Sequence, residues 1–569
     1  MSQLFDKIKV GSQKRSTFDL SHNQVMTSDF GYLTPICVRD MVPNDDFVVS
    51  PQLFTRLAPL AVPTYGRIKC RVHHFFVPYR ILYPLWDSFI TQDPNNSTVP
   101  PYFTVSVLRQ ALAADPQYST GTTVPRNTYG RLMANLGINP ELIAGTTGLD
   151  ANDRISALPF LAYYRIWLDW FMDSSIYDHS ALDLAFKSDI ANGGSMAAYT
   201  YYLLTRNSCF KKDYFTTAKL NPQGGSDPAT VGVDLASPSL NPSLYTTNTA
   251  GVSLTKRGDK QEVYISSQSG TATKKVGEFT VEALRAANSL QRYLERNNFV
   301  GTKIINRILA HFGISPTPER LDMAEFIDGD SFSVTIGDVT STSSNSGDTS
   351  GLGYQAGKGL GVGSTKSVRY HAKEHGVFMS VMSILPDTGY YQGIPRMFQK
   401  GVFGDALDFF TPEFENLGYQ EILNKEVYVP DALNSSYSSY DPEGIFGYTP
   451  RYSEYKFHND ILAGDFVGDT SVYNPSGATM DSWHLFRKLA YTNSDPLSLN
   501  ANFVELDNHN NDYDRVFQTT LNSYDHFYFN IFCDVKATRP MDGFTAPSLD
   551  HTNESDGVSM NLPYGGTRL

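Results

Sequence analysis

Hydrophobic and polar positions alternate with period two along several stretches of the chain. In 525–537, DHFYFNIFCDVKA, one face takes Phe527, Phe529, Ile531, Cys533, Val535 and Ala537. The other takes His526, Tyr528, Asn530, Asp534 and Lys536, and only Phe532 breaks the rule. Successive side chains of a strand point to opposite faces, so this segment predicts a half-buried strand. Near the other end, RIKCRVHHFFVP (67–78) sets Ile68, Cys70, Val72 and Phe76 against Lys69, Arg71 and His73. A further strand is expected at 421–429, EILNKEVYV. One strong strand near each terminus, with long excursions between, suits a jelly roll, whose first and last strands lie side by side. The expected fold is therefore mainly β: a single eight-stranded antiparallel jelly roll with long loop insertions and a few helices.

Two segments carry a helical period instead. Residues 158–173, LPFLAYYRIWLDWFMD, open on Pro159, which suits a first turn. Arg165, Asp169 and Asp173 form a narrow stripe at four-residue spacing; the remaining circumference is apolar and includes Trp167 and Trp170. A helix apolar nearly all round must be buried on most sides, inside its own chain or against a neighbour. The second helix, 280–296, aligns Ala283, Ala287, Leu290 and Leu294.

Other stretches show neither period. Residues 226–278 hold 15 Ser/Thr in 53 positions and only two aromatics, Tyr245 and Tyr264, which reads as an exposed insertion of turns and short strands. Residues 340–366 begin as TSTSSNSGDTSG and continue Gly-rich, and are expected to be a flexible loop. No internal repeat is visible.

Composition narrows the function. Hydrophobic residues make up 41% of the 569, enough for a sizeable core, while charged residues reach only 18% and aromatics 13%. A charge-poor, Tyr- and Phe-rich surface suits extensive protein contact, although aromatics also favour strands. The net charge of −13 argues against a simple nucleic-acid-binding domain but permits a polarised molecule with one basic face. Cys37, Cys70, Cys209 and Cys533 are scattered without a C-x-x-C pair, fitting neither a zinc ribbon nor a disulfide framework. No signal peptide or bilayer-length apolar run is visible, so a soluble protein made in a cytoplasm is expected.

The candidate chemistry is thin. His371, Glu374 and His375 spell H-x-x-E-H, the inverted zinc-protease signature, which needs a helix to bring the histidines together. The flanks, KSVRY before and GVFMSVMSIL after, are strand-forming. In a strand, residues four apart stand roughly 13 Å from each other, too far for one ion. His73 and His74, adjacent in a strand, point to opposite faces and cannot readily share a metal. GLGYQAGKGLGVGST (351–365) lacks the phosphate-loop spacing, since Lys358 precedes Gly359, and no G-x-S-x-G elbow occurs. No catalytic residue, cofactor or metal ligand is assigned. The N-terminal arm, 1–30, carries Lys7, Lys9, Lys14 and Arg15. Four phosphate contacts to a single strand give a salt slope of about −2.8, so one arm binds feebly and many copies must act together.

The segments taken together resemble the major capsid protein of gokushoviruses, small single-stranded-DNA phages within the microviruses (Microviridae, Gokushovirinae). The resemblance begins with FDLSHNQVMTSDFGYLTPI (18–36) and continues through HHFFVPYRILYPLWDSF (73–89) and LPFLAYYRIWLDWFMD (158–173). It extends through ILAHFGISPTPERLDMAEFIDG (308–329), EHGVFMSVMSILPDTGYYQGIPRMF (374–398), IFGYTPRYSEYKFHNDILAGDF (445–466) and KATRPMDGF (536–544). In KKDYFTTAKLNPQGG (211–225), Lys219 and Asn221 replace the family's frequent Pro and aromatic.

The resemblance implies a structural protein, sixty copies of which build a T=1 icosahedral shell around a circular single-stranded DNA genome. It implies that 226–278 projects at the threefold axes toward a host surface receptor, with Tyr245, Lys256, Arg257 and Tyr264 as candidate contacts. It also implies a small basic DNA-binding protein, an internal scaffolding protein and a minor pilot protein as partners. Assembly would take place in the host bacterial cytoplasm, without membrane insertion. Lys7, Lys9, Lys14 and Arg15 are expected to face DNA. Trp167, Trp170, Tyr448, Arg451, Tyr452 and Tyr455 combine the residue types of binding hot spots and are the candidate subunit contacts, with an intrachain core as the competing reading. The rival functions are an adhesive or carbohydrate-binding β-protein and a zinc metallopeptidase.

Overall fold

The computed structural model describes residues 15–93, 98–114, 129–145, 148–222, 252–256, 263–267, 281–301, 303–342, 355–401, 408–430, 439–467, 479–490, 497–506, 513–518 and 525–541. The chain divides into two compact units, one formed by Met1–Leu220 with Val300–Leu569 and the other by Asn221–Phe299.

The first unit is built on strands β1 (His22–Ser28), β2 (Thr34–Met41), β3 (Asp46–Leu57), β4 (Ile68–Pro78), β5 (Glu325–Thr340), β6 (two pieces, Gln355–Ser364 and Val368–His371), β7 (Gly376–Pro386) and β8 (Phe527–Arg539). All their pairings are antiparallel. One sheet runs β1-β8-β3-β6 and the other β2-β7-β4-β5. Thus β1 pairs with β8, β2 with β7, β3 with β6 and β4 with β5, as in a long hairpin rolled on itself. The distal part of β5 also pairs with the start of β6, joining the two sheets along one edge into a single curled sheet. That is the expected jelly roll, with the first and last strands side by side.

Two of the three predicted strands hold in full. Along β8, Phe527, Phe529, Ile531, Cys533, Val535 and Ala537 are buried and the residues between them are not. Along β4, Ile68, Cys70, Val72 and Phe76 enter the core between the sheets. Phe75 and Val77 point the other way, into a second core. This second core is a helical layer on the outside of the β2-β7-β4-β5 sheet. It includes α1 (Val105–Ala114), α2 (Tyr129–Asn135), α3 (Leu158–Ile166) and α4 (His179–Ile190), contributing Leu108, Leu132, Phe160 and Phe186. With layers on both sides, β7 is buried at all eleven positions, which explains why GVFMSVMSILP shows no alternation.

Two expectations are corrected. The segment 421–429 is strand only to Leu423; a helical turn, Asn424–Val427, follows because the Glu426 carboxylate accepts the Leu423 N–H at 3.1 Å. Within 340–366, residues Gln355–Ser364 form a strand rather than a loop. Gly357, Gly359 and Gly361 face inward and are buried, while Lys358, Leu360 and Val362 face out. A Cβ at Gly363 would stand 2.3 Å from the Phe332 ring, and one at Gly359 2.6 Å from Leu57. The glycines here admit neighbouring side chains and do not loosen the chain.

In the second unit, residues Val252–Lys256 pair with Val263–Ser267, placing Lys256 opposite Val263 and Tyr264 opposite Thr255. The predicted helix is present as α5 (Val281–Val300), with Ala287 and Leu294 half-buried and Leu290 exposed. Tyr245 and Arg257 lie outside the described residues.

Candidate interaction surfaces

The charged stripe of the 158–173 segment is internal. After α3 the chain continues as a wider turn, Trp167–Phe171, and Arg165 and Asp169 are each only 2% exposed. Arg165 Nε donates to Asp169 Oδ2 at 2.8 Å, Nη1 to Asp183, and Nη2 to the Asp322 carbonyl at 2.8 Å. Asp169 Oδ2 also accepts the Ala324 N–H at 2.8 Å, and Lys303 Nζ donates to the Asp169 carbonyl at 2.7 Å. The network ties α3 to the segment that leads into β5. A buried guanidinium needs this completeness, because each unmet donor would carry a desolvation cost.

The candidate contact residues separate by burial. Trp167 sits inside the chain's own helical core, between the rings of Tyr164 and Tyr177. Trp170 is half-buried, and its indole N–H donates to the Ala324 carbonyl at 2.8 Å. Tyr452 is buried against Phe410, and the Arg451 guanidinium lies 5.2 Å from the Tyr452 ring. Tyr448 is half-buried, and its backbone exchanges hydrogen bonds with Lys219, each 2.8 Å. Tyr455 alone of the six is mostly open, at 54% exposure, with Lys400 Nζ 3.6 Å from its ring centre. For Trp167 and Tyr452 the intrachain reading is the one the structure gives.

Two apolar surfaces reach beyond the residues singled out in the sequence. Tyr455 belongs to a groove of about 440 Å³ that also takes in Met397, Phe398, Phe457 and Ile461. All five side chains are exposed, Ile461 by 73%. Glu454 and Glu426 in its wall are neutralised by Lys400 at 2.7 Å and Arg396 at 2.6 Å. The second surface is α6 (Ile304–Phe312), an amphipathic helix with no buried side chain, whose Leu309 and Phe312 are left open. Exposed clusters of this kind are characteristic of protein–protein contact.

The basic arm is described only from Arg15, which donates to Asp46 Oδ2 at 2.7 Å and to the Asn44 carbonyl at 2.8 Å. Its charge is met within the chain. Lys7, Lys9 and Lys14 lie outside the described residues.

The zinc-like motif comes apart. His371 ends β6 and its Nδ1 is 2.9 Å from Asp46, Glu374 accepts from Arg80 at 2.9 Å, and His375 packs on Trp86. Three side chains with three separate partners make no metal centre. His74 is fully buried with Nδ1 2.7 Å from Ser380 Oγ, and burial lowers its pKa to about 4. His73 is half-buried against Phe171 and falls to about 4 for the same reason. Two clusters of metal-ligand composition occur among the described residues, His22/Cys37/Cys533 and Asp29/Asp514/His526. In the second, the His526 ring already lies 2.9 Å from Asp29 and 3.7 Å from Asp514. All four cysteines are free, and no described helix is long and apolar enough to cross a membrane.

A jelly roll of two four-stranded sheets is an architecture that viral shell proteins share with lectin domains and cupins. The chain belongs to the phage capsid protein (F protein) family, whose profile matches residues 6–549. It is similar to capsid protein VP1 of Bdellovibrio phage phiMH2K, 26% identical over 567 residues that cover 94% of this chain and 95% of that one. It is also similar to capsid protein VP1 of Chlamydia phage 1, 25% identical with 96% and 98% covered, and of Spiroplasma virus 4, 23% identical with 84% and 86% covered. The resemblance to gokushovirus capsid proteins is borne out. The protein is structural, not enzymatic, and is a component of the virion shell.

Proposed function

We propose that the chain self-assembles as sixty copies into a T=1 icosahedral shell around a circular single-stranded DNA genome. The family match along nearly the whole chain carries this reading, and the exposed apolar surfaces support it. Contacts around fivefold and threefold axes are heterologous, so they need two different complementary patches on each copy. The groove around Tyr455 is concave and the α6 face is convex, and neither has an apolar cover among the described residues. Asp460 on the groove and Arg307 on α6, both exposed, are of opposite charge.

Lys7, Lys9 and Lys14 supply phosphate contacts from the arm, which Arg15 anchors through Asp46. Residues 226–278 project outward and meet the host receptor, with Tyr245, Lys256, Arg257 and Tyr264 as contacts. A small basic DNA-binding protein offsets genome charge, and scaffolding and pilot proteins act during assembly in the host cytoplasm.

The test is expression of the chain with and without small partner proteins, followed by electron microscopy. Closed icosahedral particles with knobs at the threefold axes are the expected result. A monodisperse monomer under every condition contradicts the reading.

A further inference from the structure

Among the described residues no helical layer covers the outer face of the β1-β8-β3-β6 sheet, and what that face displays is ordered by register. Register fixes its rows: Tyr528 stands beside Arg56, Asn530 beside Phe54, and Phe532 beside Gln52. Tyr528 and Phe532 are 44% and 43% exposed, and the Arg56 guanidinium lies 5.1 Å from the Phe54 ring centre. At the strand rise, Tyr528 and Phe532 are roughly 13 Å apart, with Phe54 between them on the next strand. Farther along, one row runs Asp19, Lys536, Val48 and Arg369, with both cations exposed and Arg369 4.0 Å from Asp46.

The carboxylates of this face include exposed Asp19, opposite Lys536, whose Oδ1 accepts the Ser21 N–H at 2.9 Å. Asp46 is held by Arg15 at 2.7 Å and His371 at 2.9 Å, and half-buried Asp534 accepts from Ser21 Oγ at 3.2 Å. A chain of net charge −13 thus presents one sheet face of mixed charge, on which Arg15, Arg56, Arg369 and Lys536 offset Asp19, Asp46 and Asp534 among rings and side-chain amides.

Rings that stack bases, cations that meet phosphates and amides that reach base edges are the three elements by which β-sheet surfaces take up unpaired nucleic acid. We propose that this face binds single-stranded DNA, with Tyr528 and Phe532 as stacking platforms and Arg56, Lys536 and Arg369 on the phosphates. A second copy laid symmetrically on the same face would set these cations against their own counterparts. The inference rests on the shell reading, and within it assigns this sheet to the lumen.

The test measures binding of the full-length chain to a fluorescent oligothymidylate across a salt series, with duplex DNA as competitor. Tyr528→Ala and Phe532→Ala should each weaken binding roughly 5- to 150-fold while leaving the salt slope unchanged. Tyr528→Phe should retain most of the affinity. Lys536→Gln and Arg56→Gln should each reduce the slope by about 0.7. Ring variants that melt like the parent and bind DNA equally well overturn the proposal. Ring variants that bind DNA normally yet fail to assemble overturn it too, and assign the face to a protein neighbour. Ring-dependent binding by a parent chain that forms no particles would leave this site standing and remove the shell reading instead.

Discussion

Strands β7 and β8 hold equivalent places in the two sheets, each hydrogen-bonded to a neighbour on either side. β7 is buried on both faces, whereas β8 is buried on one and bears Tyr528, Asn530, Phe532 and Lys536 on the other. The covered sheet is shielded by helices of its own chain, so its residues are set by packing. The open sheet carries rings and cations that no helix covers among the described residues. Exposed aromatics on a strand that could carry polar residues point to a ligand or partner.

The comparison breaks most visibly through the covered side. Arg165→Leu leaves Asp169 buried without its cation and should destabilise the chain by about 3–5 kcal/mol in denaturant titration. Phe378→Ala, which empties ring volume between the sheets beside Phe47 and His74, should cost about 3–5 kcal/mol. Little change for either would mean that the helical layer and the sandwich core do not hold β7 as described.

Acid should act on the covered sheet next. His73 and His74, on β4 beside β7, have folded values near 4, below the ordinary 6.5. The neutral rings suit the fold, so this stability is fully present above pH 6.5. It is lost as pH falls toward 4, where the unfolded chain takes up protons first. The decline is at most about 3 kcal/mol per ring, and His74→Gln should remove part of it. Stability that does not fall between pH 7 and 4.5 contradicts the burial of these rings.

Gly363→Ala should cost about 1–3 kcal/mol by crowding Phe332. The smallest effect belongs to the open side: Phe532→Ser should change stability by no more than about 0.5 kcal/mol. A large loss there would mark Phe532 as core and remove the contrast between the sheets.

Much of the fold was legible because local periodicity wrote it. The alternation in β8 and β4, and the all-round apolarity of α3, needed no knowledge of the partner strands. The β6 strand was not legible as such, since its inward positions are glycines whose space is filled by Phe332 and Leu57 from elsewhere. Phe532 stood out as a break in a pattern, but its meaning depends on register with Phe54 and Arg56, nearly 480 positions away. The groove at Tyr455 likewise joins segments near 397 and 457 that no sequence period connects.

The most direct measurement is a cryo-electron-microscopy reconstruction of DNA-filled particles, traced through β8. The account predicts that Tyr528, Phe532 and Lys536 line the lumen with density for nucleic acid against the two rings. Finding that face on the particle exterior, or sealed against another protein chain, would contradict it.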